Sequence, residues 1–121
     1  MSRFIRGRLE ESANAPAEGE RVTRLVELPT LTVEQILSGT LPGPVSFEQA
    51  HDEWVLVVAG RARLDVEGTE VELHAGEWLL LPSGCPHTLL ETEPGTSWLA
   101  LHIAGGVCLP DLVTQALEPG A

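Results

Sequence analysis

Four histidines, at positions 51, 74, 87 and 102, are the residues of this chain best suited to chemistry near neutral pH. An imidazole exchanges a proton in that range, and its ring nitrogens bind transition metals. His87 is the most constrained of the four. The segment before it predicts an apolar strand over 77–81 that ends at Pro82, a tight turn at Ser83 and Gly84, and a returning strand that begins at His87. This histidine therefore has a fixed direction.

A carboxylate and an amide lie upstream in a second informative segment. Phe47, Gln49, His51 and Glu53 occupy alternate positions, so an unbroken strand would place them on one face, whereas a bulge would divide them. Residues 54–58 are apolar throughout, which predicts a strand covered on both faces.

The two segments resemble the two sequence motifs of the cupin superfamily. The spacing of Gly76, Pro82, Gly84 and His87 matches the second motif, and Glu53 with a glycine seven residues later matches the end of the first. The resemblance covers residues 45–102, and within the superfamily the chain is similar to a subgroup of small single-domain proteins. It implies an all-β fold, the cupin double-stranded β-helix, which is a jelly-roll-like barrel with one or two short helices.

The resemblance also implies an in-barrel site for a divalent metal. Glu53 and His87 match metal-ligand positions, Gln49 and Phe47 stand where the family usually has histidines, and His51 is a substitute ligand or a rim residue. Imidazole, carboxylate and amide together suit Fe, Mn, Ni, Co or Zn. In the alternative interpretation, Phe47 and Gln49 close the site, and Glu53 bonds to His87 in a metal-free pocket.

The roles expected of the other histidines depend on where each lies in the barrel. If Trp98 and His102 face the cavity, His102 is a fourth ligand or a general acid/base, and otherwise a histidine hydrogen-bonded inside the barrel. His74 is expected at the surface, beside a turn. Cys85 is expected to be a bystander, because no basic neighbour lowers the pKa of its thiol.

The other elements must position these residues. Residues 21–28 predict a first strand, and residues 31–37 predict a short helix capped by Thr32 and ended by Gly39. Residues 62–73 predict a hairpin whose loop is Gly68 and Thr69, with Val66 opposite Val71. Strands spaced by 8 to 12 residues indicate a sandwich or barrel, and the resemblance favours the barrel.

Length and composition predict one domain in three parts. These are an N-terminal arm over 1–20, a barrel over 21–106 and a C-terminal tail over 107–121 with a short helix at 110–117. The chain has no apolar run of about 20 residues and no apolar segment typical of a secretion signal, which predicts a cytoplasmic protein. Cys85 and Cys108 are accordingly expected as reduced thiols.

Charge limits the partners. The net charge of −11 disfavours binding to nucleic acid and to anionic lipid. All seven basic residues are arginines. We expect a homodimer that binds a small molecule. The resulting hypothesis is a metal-dependent enzyme of the dioxygenase or isomerase type. The alternatives are a metal-free module that binds or senses a small ligand, and a dimerisation scaffold.

Overall fold

The computed structural model describes residues 3–104, which form two antiparallel sheets packed face to face. Nine strands follow one short 3-10 helix, Ser12–Asn14: β1 Glu20–Glu27, β2 Leu31–Ser38, β3 Val45–Phe47, β4 Asp52–Ala59, β5 Arg61–Val66, β6 Thr69–His74, β7 Trp78–Leu81, β8 His87–Thr92 and β9 Thr96–Ile103. One sheet has the order β1-β2-β9-β4-β7, and the other has the order β3-β8-β5-β6. The predicted all-β class is confirmed, and the helix predicted at 110–117 lies outside the described residues.

The core lies between the two sheets. Val57 and Ala100 of the five-stranded sheet are fully buried, and they belong to one apolar cluster with Leu64 and Leu89 of the opposite sheet. Side chains on a strand alternate between its faces, so Glu53, two residues before Val55, points into the same interior. The strand, turn and strand predicted over 77–92 are confirmed as β7 and β8.

The helix predicted at 31–37 is wrong, because this segment is β2, an interior strand of the five-stranded sheet. It pairs along its whole length with β9, and along most of it with β1. Thr32, Val33 and Ile36 are β-branched and favour this extended state. Gly39 does not end a helix; its role is steric, since a Cβ there would clash with the backbone of Pro16 and Ala17.

The predicted hairpin exists, but its loop begins one residue earlier than expected. The turn residues are Glu67 and Gly68, with φ of 50° and 87°, a combination typical of a type I′ turn. Val66 therefore lies opposite Thr69, and Leu64 opposite Val71. The backbone twist at the turn sets the register, so the predicted Val66 to Val71 pair is wrong.

The segment before Glu53 is not one strand. β3 ends at Phe47 in one sheet and β4 begins at Asp52 in the other, so residues 48–51 cross between the sheets. The Gln49 carbonyl accepts a bond of 2.7 Å from the Gly84 amide, and the Asp52 carboxylate accepts one of 2.8 Å from the Ser83 amide. These bonds tie the crossing to the turn that precedes His87.

No helix within residues 3–104 combines the length and apolarity that a membrane crossing requires.

Candidate functional site

A cavity of about 190 Å³ lies between the sheets and contains most of the residues singled out by the sequence. Its walls are mainly apolar, and its polar groups are few: Glu20, Glu34, Gln49, Glu53, His87 and His102. Trp98 and His102, whose orientation the sequence left open, both line the cavity. His51 and His74 are not among the lining residues, and His74 is exposed as predicted.

Glu53 and His87 face each other from the starts of β4 and β8. Both are more than 90% buried, and Glu53 Oε1 lies 3.7 Å from His87 Nε2, which is too long for a hydrogen bond. His87 Nδ1 lies 3.1 Å from the Cys85 carbonyl oxygen. In the neutral ring Nδ1–H donates to that carbonyl, so the lone pair of Nε2 points toward the Glu53 carboxylate.

Phe47 and Gln49 border this pair. The Phe47 ring stacks on the imidazole of His87, with centroids 5.5 Å apart and an interplanar angle of 20°. Gln49 Oε1 is buried and has no hydrogen-bond partner among the described residues. A buried amide oxygen without a donor costs about 1–3 kcal/mol, so this atom marks a place where a donor or a cation would be stabilised.

His102 is held between two side chains. Its Nε2 lies 2.8 Å from Glu34 Oε1, and its Nδ1 lies 2.8 Å from His51 Nε2. A carboxylate only accepts, so in the neutral ring Nε2–H donates to Glu34 and Nδ1 accepts from His51. Glu53 Oε2 is 3.7 Å from the same Nδ1. The structure thus links Glu34, His102 and His51 into one hydrogen-bonded chain beside Glu53.

The sequence of the chain matches the Cupin domain family over residues 33–101, which is more than half of its length. The chain belongs to the cupin family. No protein with a curated description matches its sequence.

Solved structures agree with this assignment. A protein of Ralstonia eutropha JMP134, provisionally named a mannose-6-phosphate isomerase, is 31% identical over 82% of this chain and all of its own, with a TM-score of 0.69. An RmlC-like cupin of Shewanella frigidimarina NCIMB 400 shares 18% identity over 93% and 97% of the two chains, with a TM-score of 0.67. KdgF of Halomonas sp. is 20% identical over 70% of this chain and 80% of its own, with a TM-score of 0.62. The last two are evidence of fold alone.

Burial dominates the electrostatics of the cupin cavity. Desolvation raises the pKa of the Glu53 carboxyl above its ordinary value, against the opposing effect of the nearby imidazoles of His102, His87 and His51. Burial likewise raises the pKa of Cys85 to about 11, and the Glu67 carboxylate, which accepts a bond of 2.9 Å from the thiol, adds to the shift. Cys85 is therefore a protonated thiol near neutral pH.

The cupin family implies a divalent metal at this site. Within residues 3–104, no three His, Cys, Asp or Glu side chains are arranged to hold a metal ion. The fit therefore requires an amide oxygen: Glu53 and His87 present acceptor atoms toward each other, and Gln49 supplies the unpartnered oxygen. Such a set, with positions left for water or ligand, fits a weakly held divalent ion. His51 contributes to the His102 chain instead of lining the cavity.

The sequence interpretation missed two cavity glutamates, Glu20 at the start of β1 and Glu34. A helix at 31–37 would have pointed Glu34 elsewhere, whereas in β2 it shares the inward face with Ile36 and lies opposite Ala100, next to His102. The signal available in the sequence was the β-branched content of residues 32–36, which favours a strand.

Proposed function

We propose that this cupin holds a divalent metal through Glu53, His87 and Gln49, and that the site acts on a small molecule bound in the cavity. One observation carries the proposal. The lone pair of His87 Nε2 faces the Glu53 carboxylate across 3.7 Å, and Gln49, whose buried side-chain oxygen has no partner among the described residues, lines the same cavity. Buried acceptors that lack a donor favour a cation.

The bound metal would supply Lewis acidity or O₂ activation, as in dioxygenase- or isomerase-type chemistry. His102 would exchange a proton at Nδ1, the nitrogen that faces Glu53 and His51. Glu34 keeps the opposite nitrogen engaged and so fixes the ring orientation. The apolar walls would limit the access of water to this end of the cavity.

The charge of the cavity argues for a neutral ligand. Three glutamates and no lysine or arginine line it. Arg24 Nε lies 4.0 Å from Glu34 Oε2, but the Arg24 side chain is exposed and bonded to Glu27. Even with one divalent ion bound, three carboxylates leave the cavity without net positive charge and without a basic side chain for a phosphate group, which is unfavourable in a partly desolvated site. Sugar phosphates, suggested by the name of the Ralstonia protein, therefore suit this cavity less well than small neutral molecules with hydroxyl or carbonyl oxygens.

Elemental analysis of untagged protein tests the proposal. We expect about one divalent ion per chain, lost on Glu53→Gln and on His87→Ala but retained in His74→Ala, which removes an exposed imidazole outside the cavity. Protein that takes up none of Fe(II), Mn(II), Ni(II), Co(II) or Zn(II) after chelation would contradict it. Circular dichroism of each variant separates loss of metal from loss of fold.

One observation favours a second candidate, a metal-free binding module. The raised pKa of Glu53 means that a proton can take the place of a cation between Glu53 and His87. A small neutral ligand would then be oriented by Glu53 and His87 against apolar walls. Apo protein whose melting temperature rises with a neutral ligand but does not change with added metal would support this candidate. The open cavity argues against a scaffold role alone.

A further inference from the structure

The cavity has a second polar end, which lies at the sheet edge formed by β1. Glu20 lines the cavity and is exposed, whereas Glu53 and His87 are more than 90% buried. Glu20 lies opposite Ser38, four residues after Glu34 on β2. Four residues of strand span about 13 Å. The Glu20 carboxylate therefore marks the mouth of an elongated cavity, and Glu53 and His87 lie at its buried end.

A relay of two hydrogen bonds holds this mouth in place. The indole Nε1–H of Trp98 donates to Ser38 Oγ at 3.1 Å, and the Ser38 hydroxyl donates to Glu20 Oε2 at 2.7 Å. Ser38 is fully buried, and Trp98 is 4% exposed. Because a serine hydroxyl has one proton and an indole can only donate, the direction of both bonds is fixed. The relay therefore joins a wall of the cavity to the carboxylate at its mouth.

The relay leaves acceptor capacity on Glu20 but no donor capacity on Trp98. A carboxylate has about four lone-pair sites, and Ser38 occupies one of them. The single N–H of the indole is engaged, so Trp98 presents an apolar ring to a ligand. Between Glu34 and Ser38 the wall on β2 is formed by Ile36, which is apolar as well. The cavity therefore suits a molecule with an apolar middle and a polar group at each end.

We propose that Glu20 determines ligand specificity by accepting a hydrogen bond from a hydroxyl group at the outer end of an elongated neutral molecule. This inference rests on the proposed function, in which a small molecule occupies the cavity and one of its oxygens lies at Glu53 and His87. The corresponding ligand class is a hydroxyl-terminated molecule whose polar ends are separated by an apolar chain or ring. A site built to bind a hydroxyl discriminates against an analogue that lacks it.

Linear α,ω-diols of four to eight carbons test the proposal against the mono-alcohols of the same lengths. Titrations follow the indole N–H resonance of Trp98 by NMR in metal-free protein, where the inner hydroxyl donates to Glu53. One diol length should bind about fivefold more tightly than its mono-alcohol, a modest gain because water competes at the exposed Glu20. The use of metal-free protein keeps failure of this proposal distinguishable from failure of metal binding.

Two substitutions identify the carboxylate that is responsible. Glu20→Ala should abolish the advantage of the diol, while the mono-alcohol binds as it does to the wild type. Glu18→Ala removes an exposed glutamate that is not among the residues lining the cavity, and it should keep the advantage. Circular dichroism checks the fold of both variants. Diols that bind no better than mono-alcohols at any length, an advantage that survives in Glu20→Ala, or one that Glu18→Ala removes would overturn the proposal.

Discussion

Glu34 and His102 meet inside the barrel from neighbouring strands, with 2.8 Å between Glu34 Oε1 and His102 Nε2. β2 pairs with β9 in antiparallel register; His102 lies opposite Thr32, two residues before Glu34, so both side chains lie on the inward face. The contact fixes which nitrogen of His102 carries the proton toward Glu34 and leaves the other facing Glu53. The orientation of the proposed acid/base thus depends on a residue 68 positions away.

Loss of this contact should be measurable in the absence of any substrate. Glu34→Ala leaves a half-buried imidazole N–H without its acceptor, and we expect a loss of about 1–3 kcal/mol in the free energy of unfolding. Glu34→Gln keeps an acceptor oxygen and should lose less than half as much. Urea denaturation measures both, and nitrogen NMR of the His102 ring reports its tautomer. Equal losses in the two variants would show that the hydrogen bond does not matter.

Substitutions of Gln49 should change metal binding without lowering the stability of the metal-free protein. Gln49→Leu removes a buried oxygen that has no partner among the described residues, so we expect metal-free protein to be unchanged or up to about 1 kcal/mol more stable. The same variant should bind metal about tenfold or more weakly, as measured by titration calorimetry. Gln49→His supplies an imidazole in place of an amide and should bind metal more tightly than the wild type. Weaker binding by the histidine variant would argue against Gln49 as a ligand.

Ionisation of the Cys85 thiol should lower the stability of the fold as the pH rises. Its pKa is raised to about 11 from the ordinary value of 9.0 by burial and by Glu67, so the fold favours the neutral thiol. The unfolded chain releases this proton more readily, and the contribution to stability is therefore complete below about pH 9 and lost as the pH rises to about 11. Thiolate absorbance in a Cys108→Ser background measures the titration. Glu67→Gln should lower the pH midpoint of this titration. An unchanged midpoint would show that Glu67 does not raise the pKa of Cys85.

Two glycines with the same backbone conformation provide a matched test of packing. Gly60 and Gly76 have φ of 90° and 88°, but a Cβ at Gly60 would clash with Thr96, whereas at Gly76 it would meet nothing within 4 Å. Gly76→Ala should cost about 1 kcal/mol of stability from backbone strain alone. Gly60→Ala should cost more, because Thr96 cannot move without breaking its hydrogen bonds to Arg61 and Glu93. Similar losses in thermal denaturation would indicate that Thr96 adapts.

Local patterns in the sequence predicted much of this protein. The spacing of glycine, proline and histidine over 76–87 determined β7, the turn and the start of β8, because proline fixes its own φ and glycine permits the positive φ found at Gly76 and Gly84. The alternation within residues 61–74 likewise determined a hairpin. Both patterns act between residues close in the chain, and neither depends on a distant partner.

Tertiary structure decided the rest. The local sequence of residues 31–38 is compatible with either a short helix or a strand. Pairing with β9, about 60 residues later, stabilises the strand and brings Glu34 to His102. Similarly, parity placed Gln49 and His51 with Glu53, but the crossing between sheets at 48–51 directs Gln49 to the cavity and His51 to His102. The sequence alone predicted Glu53, His87 and His102 as candidate site residues, but it did not predict Glu34. Their mutual orientation was decided by strand pairing, because hydrogen bonds between sequence-distant strands have no signature in a local pattern.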